Sequence, residues 1–257
     1  SCDVGIIVDG EQKLTTQYEI EFGLTVSIPM IDIRTIGAGG GSIAWIDNGG
    51  FLQVGPHSAG ADPGPACYGL GGQAPTVTDA NLVLNRLIPE FFLNGEMPLS
   101  IDSAKRAVAT ISESENPNLE EMATSITQIS EDNMANAIRM ISVVEGHDPR
   151  EFSLISFGGA GPLHATAIAR KLSIPKVIIP VVPGNTSALG FLLADLRIDK
   201  IRTFPMRSDS LDVDRINRQF KDAETSAEEE LRADQYKGRI HWVNTVKLRY
   251  AGQNHEY

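Results

Sequence analysis

The sequence predicts an α/β protein whose strands come first, whose helices fill the middle, and whose last third alternates between the two. Short apolar runs with period-two alternation occupy the first third, a pattern typical of half-buried strands. Apolar residues at three- and four-residue spacing dominate the middle. The last third alternates strand-like and helix-like segments, which favours parallel strands covered by helices.

The first third is predicted to form strands separated by turns. The run "VGIIVDG" ends in Asp9-Gly10, a hairpin turn signal, and the runs "KLTTQYEI" and "TVSIPMIDIRTI" continue the strand pattern. The segment "GAGGGS" then leads to "IAWID", a turn "NGG" and "FLQV". Residues 55–78 contain so many glycines and prolines that we expect neither a helix nor a central strand there, but a rigid lid that walls a site.

Residues 79–146 are predicted to be helical. Thr78 and Asp79 are the candidate N-cap residues of a helix over "ANLVLNRL", because their side-chain oxygens can accept from the first free N–H groups of a helix. Apolar residues recur at helical spacing from Met122 onward. They predict a long amphipathic helix that Gly146 closes.

The last third alternates between the two kinds of element. The runs "FSLISF" and "KVIIPVV" predict buried strands, and the runs "GPLHATAIARKL" and "NTSALGFLLADL" predict helices. An acidic helix is expected over about 211–235. Residues 199–206 before it and the run "RIHWVNTVKLRYAG" after it have strand character.

Composition excludes some classes of partner. The formal charge of −11, from 33 acidic and 22 basic residues, argues against a nucleic-acid or anionic-membrane surface. The negative net charge does not exclude a phosphorylated small molecule that backbone amides and Mg²⁺ would hold. No run approaches the ~20 apolar residues of a membrane span. Cys2 and Cys67 form no CxxC motif, so we expect a reduced, cytoplasmic protein. The missing initiator methionine predicts a fragment of a longer chain.

Two glycine-rich loops, each after an apolar strand, are the main candidate sites. Glycine lets backbone N–H groups turn toward an anion or a flat base, and the second loop leads into a helix whose N-terminus favours phosphate. Neither loop is a Rossmann fingerprint, because Ser42 or His164 stands at the third glycine, and neither contains the Gly-Lys-Ser/Thr of a P-loop. A tight turn remains the alternative for each loop. The candidate residues are Gly37, Gly39, Gly40 and Gly41 in the first loop and Gly158, Gly159, Ala160 and Gly161 in the second.

Two further side chains are candidates. His164 lies in the first turn of the predicted helix, where it can face a ligand or pack against the sheet, and the sequence leaves both open. Asp3 stands at the start of the first strand. It is a candidate Mg²⁺ ligand or water-orienting group, with a plain surface acid as the alternative.

These motifs resemble the hydantoinase A/oxoprolinase family, the ATP-using subunits of N-methylhydantoinase, 5-oxoprolinase and acetone or acetophenone carboxylases. The matching runs cover nearly all of 1–203 and include "SCDVGII", "IDIRTIGAGGGSIAWID", "VGPHSAGADPGPACYG" and "NMANAIRMISVVEGHDPREFSLISFGGAGPLHA". The resemblance implies a ribonuclease-H-like half domain of the actin and sugar-kinase ATPase superfamily over 1–203, with a mixed sheet flanked by helices. Residues 204–257 would begin a further C-terminal region.

The resemblance also implies a reaction. ATP would bind between this half and an N-terminal ATPase half, with "FGGAGPLHA" against the adenosine, "GAGGGS" lining the same cleft, and Asp3 near Mg²⁺ as a catalytic group. ATP would phosphorylate an amide, lactam or enolate oxygen of a cyclic amide or ketone, and ring opening or carboxylation would follow. A hydantoinase B-type subunit or domain would complete the enzyme, so the chain alone is expected to be inactive. A carboxylase subunit and a non-catalytic nucleotide-binding module are the alternatives.

Overall fold

The computed structural model describes residues 1–15, 18–21, 24–26, 30–112 and 114–253. They fall into two compact units, Ser1–Leu193 and Ala194–Tyr257. The first unit contains all strands in the described ranges, and these form two-stranded pairs. None of the helices in the same ranges is long and apolar enough to cross a membrane.

The strand pairs are mostly antiparallel. β1 (Cys2–Gly5) pairs with β8 (Ile33–Ile36), and β9 (Ser42–Ile46) pairs with β10 (Leu52–Ser58). β11 (Ser153–Ile155) and β12 (Lys176–Ile178) are parallel, as the alternation of the last third predicts. Shorter antiparallel pairs are β2 (Ile7–Val8) with β3 (Glu11–Gln12), β4 (Leu14–Thr15) with β7 (Met30–Ile31), and β5 (Tyr18–Glu21) with β6 (Leu24–Val26).

The turn between β2 and β3 confirms the hairpin signal. Asp9 and Gly10 have φ angles of 53° and 83°. Two successive positive φ angles match the right-handed twist of the flanking strands, and the Asp-Gly dipeptide tolerates them well.

The helices confirm the predicted order of elements. They are α1 (Val77–Val83), α2 (Ile101–Ala109), α3 (Leu119–Ile141), α4 (Gly161–Leu172), α5 (Thr186–Leu193) and α6 (Val213–Ala233). α4 spans the predicted run "GPLHATAIARKL" without a shift at either end. α3 ends at Ile141, before the predicted stop, and a short 3₁₀ turn carries the chain on to Gly146, which has a φ of 86°.

The predicted start of α1 is wrong by two to three residues. The N-cap is Thr76, whose hydroxyl accepts from the N–H of Asp79 at 3.2 Å. The Asp79 carboxylate in turn accepts from the N–H of Thr76 at 3.0 Å. This is a capping box, in which the acidic residue occupies the third helical position and not the cap itself.

The described part of 55–78 holds no central strand, as predicted, because β10 extends into it only as far as Ser58 and pairs with β9 alone. The prediction that it holds no helix is wrong at its last residues, since α1 begins at Val77. Two later strand predictions are wrong as well. Residues 199–206 and the run "RIHWVNTVKLRYAG" form no strand within the described part of 194–253. A strand needs a neighbouring strand to pair with, and this unit supplies none in the described residues.

Apolar clusters join the strands to the helices in the first unit. One cluster packs β1, β8, β11 and β12 against α3 and α4. A second packs β9 and β10 against α1, α2 and α3, and a third joins α1 and α2 to the turn Ala66–Tyr68. The structure is therefore α/β, with mixed strand pairs and helices packed on them, as the sequence predicts.

Candidate functional site

The two glycine loops meet at one place in the first unit. A β-carbon placed on Gly40 would lie 3.8 Å from the Cβ of Ala160 and 2.7 Å from Oγ1 of Thr78. A β-carbon on Gly39 would lie 3.2 Å from the backbone nitrogen of Ser1. The first residue of the chain, both loops and the start of α1 thus surround a common point.

Hydrogen bonds from Ser42 and Thr78 hold the first loop in place. Oγ of Ser42 accepts from the N–H of Gly39 at 2.9 Å and donates to the carbonyl of Gly37 at 3.3 Å. Thr78 donates both its N–H, at 2.8 Å, and its hydroxyl, at 2.9 Å, to the carbonyl of Gly40. The N–H groups of Gly40 and Gly41 donate to no described residue and remain available.

Close packing explains why this loop consists of glycines. A β-carbon on Gly37 would lie 2.9 Å from Cβ of Pro56, and one on Gly41 would lie 2.7 Å from Oγ of Ser58. Side chains on these residues would collide with the second half of β10. The tight-turn alternative therefore accounts for part of the first loop, whatever it binds.

The second loop is open. A β-carbon on Gly158 or Gly159 would meet no atom within 4 Å, although Gly158 needs to be glycine for its φ of 89°. The N–H of Gly158 donates to the carbonyl of Pro183 at 2.8 Å and fixes the loop at that end. The N–H groups of Gly159, Ala160 and Gly161 donate to no described residue, and no side chain caps α4. Free N–H groups at an uncapped helix start suit an anion.

His164 lies beneath the second loop and is fully buried. Its Nδ1 is 3.3 Å from Oε1 of Glu131 on α3, and its Nε2 is 3.4 Å from Nδ2 of Asn81 on α1. Both ring nitrogens are therefore occupied inside the protein. The side chain packs among helices and does not face the open space of the loop, so any effect on a ligand is indirect.

Sequence reasoning missed the partners of His164. Asn81 and Glu131 are buried, and Arg86 connects them by donating to both, at 3.3 Å and 3.4 Å. One signal was available for Glu131. It stands four residues after the buried Thr127 and three before the buried Met134, so it is an acidic residue on the core face of α3.

Asp3 stays at the exposed edge of the β1–β8 pair, two residues from Ser1. Its Oδ1 accepts from the hydroxyl of Thr35, directly opposite in register, at 2.5 Å. Within the described ranges no three His, Cys, Asp or Glu side chains gather closely enough to hold a metal ion. A single carboxylate still fits Mg²⁺, which usually keeps several waters and binds through one or two carboxylates together with substrate phosphates.

Asp79 anchors the segment rich in glycine and proline below this site. Its carboxylate accepts from the N–H of Ala66 at 3.3 Å and from the N–H of Cys67 at 2.8 Å. Burial, with the Asp79 charge added, raises the pKa of the Cys67 thiol far above its ordinary value. This cysteine is therefore a structural thiol and not a nucleophile.

The comparisons with known proteins agree with the sequence motifs. A family model described as hydantoinase/oxoprolinase matches residues 1–200, and the chain belongs to this family. The α subunit of caprolactamase from Pseudomonas jessenii is 41% identical over 236 residues, and 5-oxoprolinase from Dictyostelium discoideum is 41% identical over 192 residues. The alignments cover 90% and 69% of this chain.

Solved structures agree with the fold. The crystal structure of ATP-dependent caprolactamase from Pseudomonas jessenii superposes with a TM-score of 0.73 at 39% identity over 90% of this chain. A nucleotide-free acetone carboxylase superposes with a TM-score of 0.77 over 99% of the chain at 24% identity, a likeness of fold alone. The chain spans only 34% of the caprolactamase α subunit and of its structure, 37% of the acetone carboxylase structure and 15% of the oxoprolinase.

Proposed function

We propose that this chain contributes one wall of the nucleotide site of an ATP-dependent enzyme that opens cyclic amides. The observation that carries the proposal is the meeting of the two glycine loops, with free N–H groups of Gly159, Ala160 and Gly161 at the start of α4. The names of two relatives support the substrate class, because caprolactam and oxoproline are both cyclic amides.

The proposed chemistry is activation of a poor electrophile. The γ-phosphoryl group of ATP passes to the amide or enolate oxygen of the substrate and ADP leaves. For a lactam, water then attacks the activated carbon, the ring C–N bond breaks as the nitrogen takes up a proton, and a second water releases inorganic phosphate from the acyl phosphate that remains. The protein's part is alignment and charge neutralisation, as in other phosphoryl transfers.

The candidate residues divide between two roles in this proposal. The N–H groups of the second loop contact the nucleotide, and residues 37–41 line the same cleft, where Gly40 and Gly41 have free N–H groups. Asp3 would hold Mg²⁺, and the ion would supply the positive charge that offsets the phosphates. Our assignment of Asp3 rests on its place near Ser1 and the first loop.

The finer architecture is part of the same proposal. We assign 1–203 to a ribonuclease-H-like half of an actin-like ATPase, with ATP between it and an N-terminal half of the same protein. Residues 204–257 would begin a further region, and a hydantoinase B-type subunit or domain would complete the enzyme. The description of the caprolactamase relative as an α subunit supports such a partner. Free Cys2 and Cys67 favour a cytoplasmic location.

The test is a calorimetric titration of Mg-ATP and Mg-ADP into the intact protein and two variants. Gly159→Val places a side chain in the open space of the second loop, where nothing in the protein resists it. We expect its affinity for ATP to fall by about 10-fold or more, because the nucleotide loses close contact with the backbone. Gly190→Val on α5 is the matched control, because its side chain also meets no neighbour.

The outcomes separate the alternatives. Equal ATP affinity in Gly159→Val and the wild type would refute the assignment of the second loop to the nucleotide site. ATP binding without hydrolysis in the presence of lactams would indicate a non-catalytic nucleotide-binding module. Hydrolysis that depends on bicarbonate and a ketone, and not on a lactam, would assign the protein to the carboxylase branch of the family.

A further inference from the structure

Glu131 is a buried carboxylate in the middle of α3, and no part of the proposed chemistry uses it. Its side chain is only 4% exposed. The same oxygen, Oε1, accepts from Nη1 of Arg86 at 3.4 Å and lies 3.3 Å from Nδ1 of His164. Burying a carboxylate costs desolvation free energy, and its partners must offset that cost. Apolar side chains would fill the same space without it, so we looked for a function of Glu131 beyond packing.

The hydrogen bonds of the network define a single arrangement. Oδ1 of Asn81 accepts from Arg86, and Nδ2 of Asn81 donates to the carbonyl of Val77 at 3.0 Å, which fixes the orientation of the amide. Nδ2 therefore also donates to Nε2 of His164. The imidazole then carries its proton on Nδ1 and donates it to Glu131. All of these hydrogen bonds are consistent with the same placement of the protons.

The network lies about one turn along the two helices that support the glycine loops. Asn81 follows Thr78 by three residues on α1, and Thr78 holds the first loop through its two bonds to the carbonyl of Gly40. His164 follows Gly161 by three residues on α4, so it carries the second loop. The contact between Asn81 and His164 therefore ties the support of one loop to the support of the other.

We propose that Glu131 is a positioning residue that sets the spacing of the two loops for the nucleotide. It acts through His164 and Asn81 and does not touch the ligand. Oε1 holds the imidazole in the tautomer that can accept from Asn81, and this keeps the starts of α1 and α4 in register. This inference rests on the proposed nucleotide site, whose N–H groups must be correctly spaced before the ligand arrives.

The test compares two substitutions of Glu131 in the intact protein. Glu131→Gln keeps an oxygen that can accept from both partners, and we expect ATP affinity within about 2-fold of the wild type. Glu131→Met has a similar length and no strong acceptor, and we expect the ATP dissociation constant and KM to rise by about 10-fold or more. The value of kcat at saturating ATP should fall much less. Glu120→Met, on an exposed part of α3, is the matched control.

A purely structural role for Glu131 predicts a different result. In that case Glu131→Met would lower the melting temperature while the folded protein bound ATP normally, and the proposal would be overturned. If Glu131→Met does not fold, Arg86→Met tests the same network from its half-exposed end, where Arg86 is 36% exposed. It should weaken ATP binding several-fold, and unchanged affinity would again overturn the proposal.

Hydrogen exchange separates this inference from the proposed function. Loss of the network should speed exchange at the hydrogen-bonded N–H groups of the two loops, those of Gly39 and Gly158, in Glu131→Met or Arg86→Met, but not in Glu131→Gln. If the wild type binds no ATP, the proposed function fails, while faster exchange at both loops still supports the link between them. Exchange that is unchanged at both loops would refute the link even if ATP binds.

Discussion

Asp79 has donors on every side of its carboxylate. Oδ1 accepts from the N–H of Cys67, and Oδ2 accepts from the N–H of Ala66 and from both the N–H and the hydroxyl of Thr76. The side chain is fully buried. A single residue therefore completes the capping box of α1, holds the turn Ala66–Tyr68 in place, and fixes the helix turn whose Thr78 supports the first glycine loop.

Replacing Asp79 by Asn should destabilise the protein although the shape is unchanged. One of the two carboxylate oxygens becomes an NH₂ group that faces N–H donors, so at least one buried hydrogen bond is lost and two donors oppose each other. We expect a loss of about 2–4 kcal/mol in the free energy of unfolding. Urea unfolding measures this as a lower midpoint at an unchanged m-value. Asp222→Asn, on the exposed face of α6, is the control for loss of one charge.

A loss below about 0.5 kcal/mol for Asp79→Asn would contradict the four-donor description. Sequence reasoning placed Asp79 near a helix start but in the wrong role. An acidic residue near the first turn fits both the cap and the third helical position. Only the structure shows that Thr76 is the cap and that the carboxylate also holds a turn ten or more residues upstream.

At the scale of elements, a polar contact joins the N-terminal strands to the 3₁₀ turn Val143–Glu145 that follows α3. Nζ of Lys13, between β3 and β4, donates to Oε2 of Glu145 at 2.6 Å and lies 3.3 Å from Oδ2 of Asp32. The hydrogen bond with Lys13 lowers the pKa of Glu145, and the same bond raises the pKa of Lys13. Both side chains are more than a third exposed, so salt screens the pair.

The sign of the pH dependence follows from these two shifts. The lowered pKa of Glu145 gives stability that is present above its ordinary value of 4.5 and is lost as the pH falls through the folded-state pKa. The raised pKa of Lys13 gives stability that is present below 10.5 and is lost as the pH rises through the folded-state pKa. The pair therefore stabilises the protein between these limits.

Lys13→Met should lower the melting temperature by at most about 2 °C at neutral pH and low salt. The difference from the wild type should shrink at high salt and disappear in acid, where Glu145 is protonated in both proteins. Scanning calorimetry over a pH series measures it. Lys105→Met, at an exposed position of α2, should show no such pH dependence. A difference that persists in acid would mean that Lys13 acts through its aliphatic stem and not through its charge.

The sequence predicted elements correctly where the conformational preferences of a few neighbouring residues determine the structure. It failed where a strand depends on a pairing partner elsewhere in the chain. The Pro162 that opens α4 and the Asp9-Gly10 turn have local conformational preferences, and both elements appear where the sequence predicts them. The strand expected at 199–206 does not form, because alternation alone supplies no hydrogen-bond partner. The network of Glu131 escaped prediction for a related reason. It joins residues 81, 131 and 164, which only the packing of three helices brings together.

At the scale of the whole molecule, the chain divides into two compact units near residue 194. Residues 194–207 have no regular secondary structure, and most of them are exposed. The family model ends at residue 200, within this stretch. Exposed segments without regular structure are the preferred sites of proteolytic cleavage, because a protease must bind its substrate in an extended form.

Limited digestion with trypsin should therefore cut first within 194–207. Arg202 is the best candidate, because it is exposed and makes no ion pair with a described residue, whereas Arg197 and Lys200 pair with Asp199 and Glu230. Cleavage there would release a product ending at residue 202, next to the boundary that we propose for the ATPase half domain. Mass spectrometry of early time points identifies the cut. Arg202→Gln should delay its appearance, and early cleavage inside α3 or α4 would instead show that the first unit is the less stable of the two.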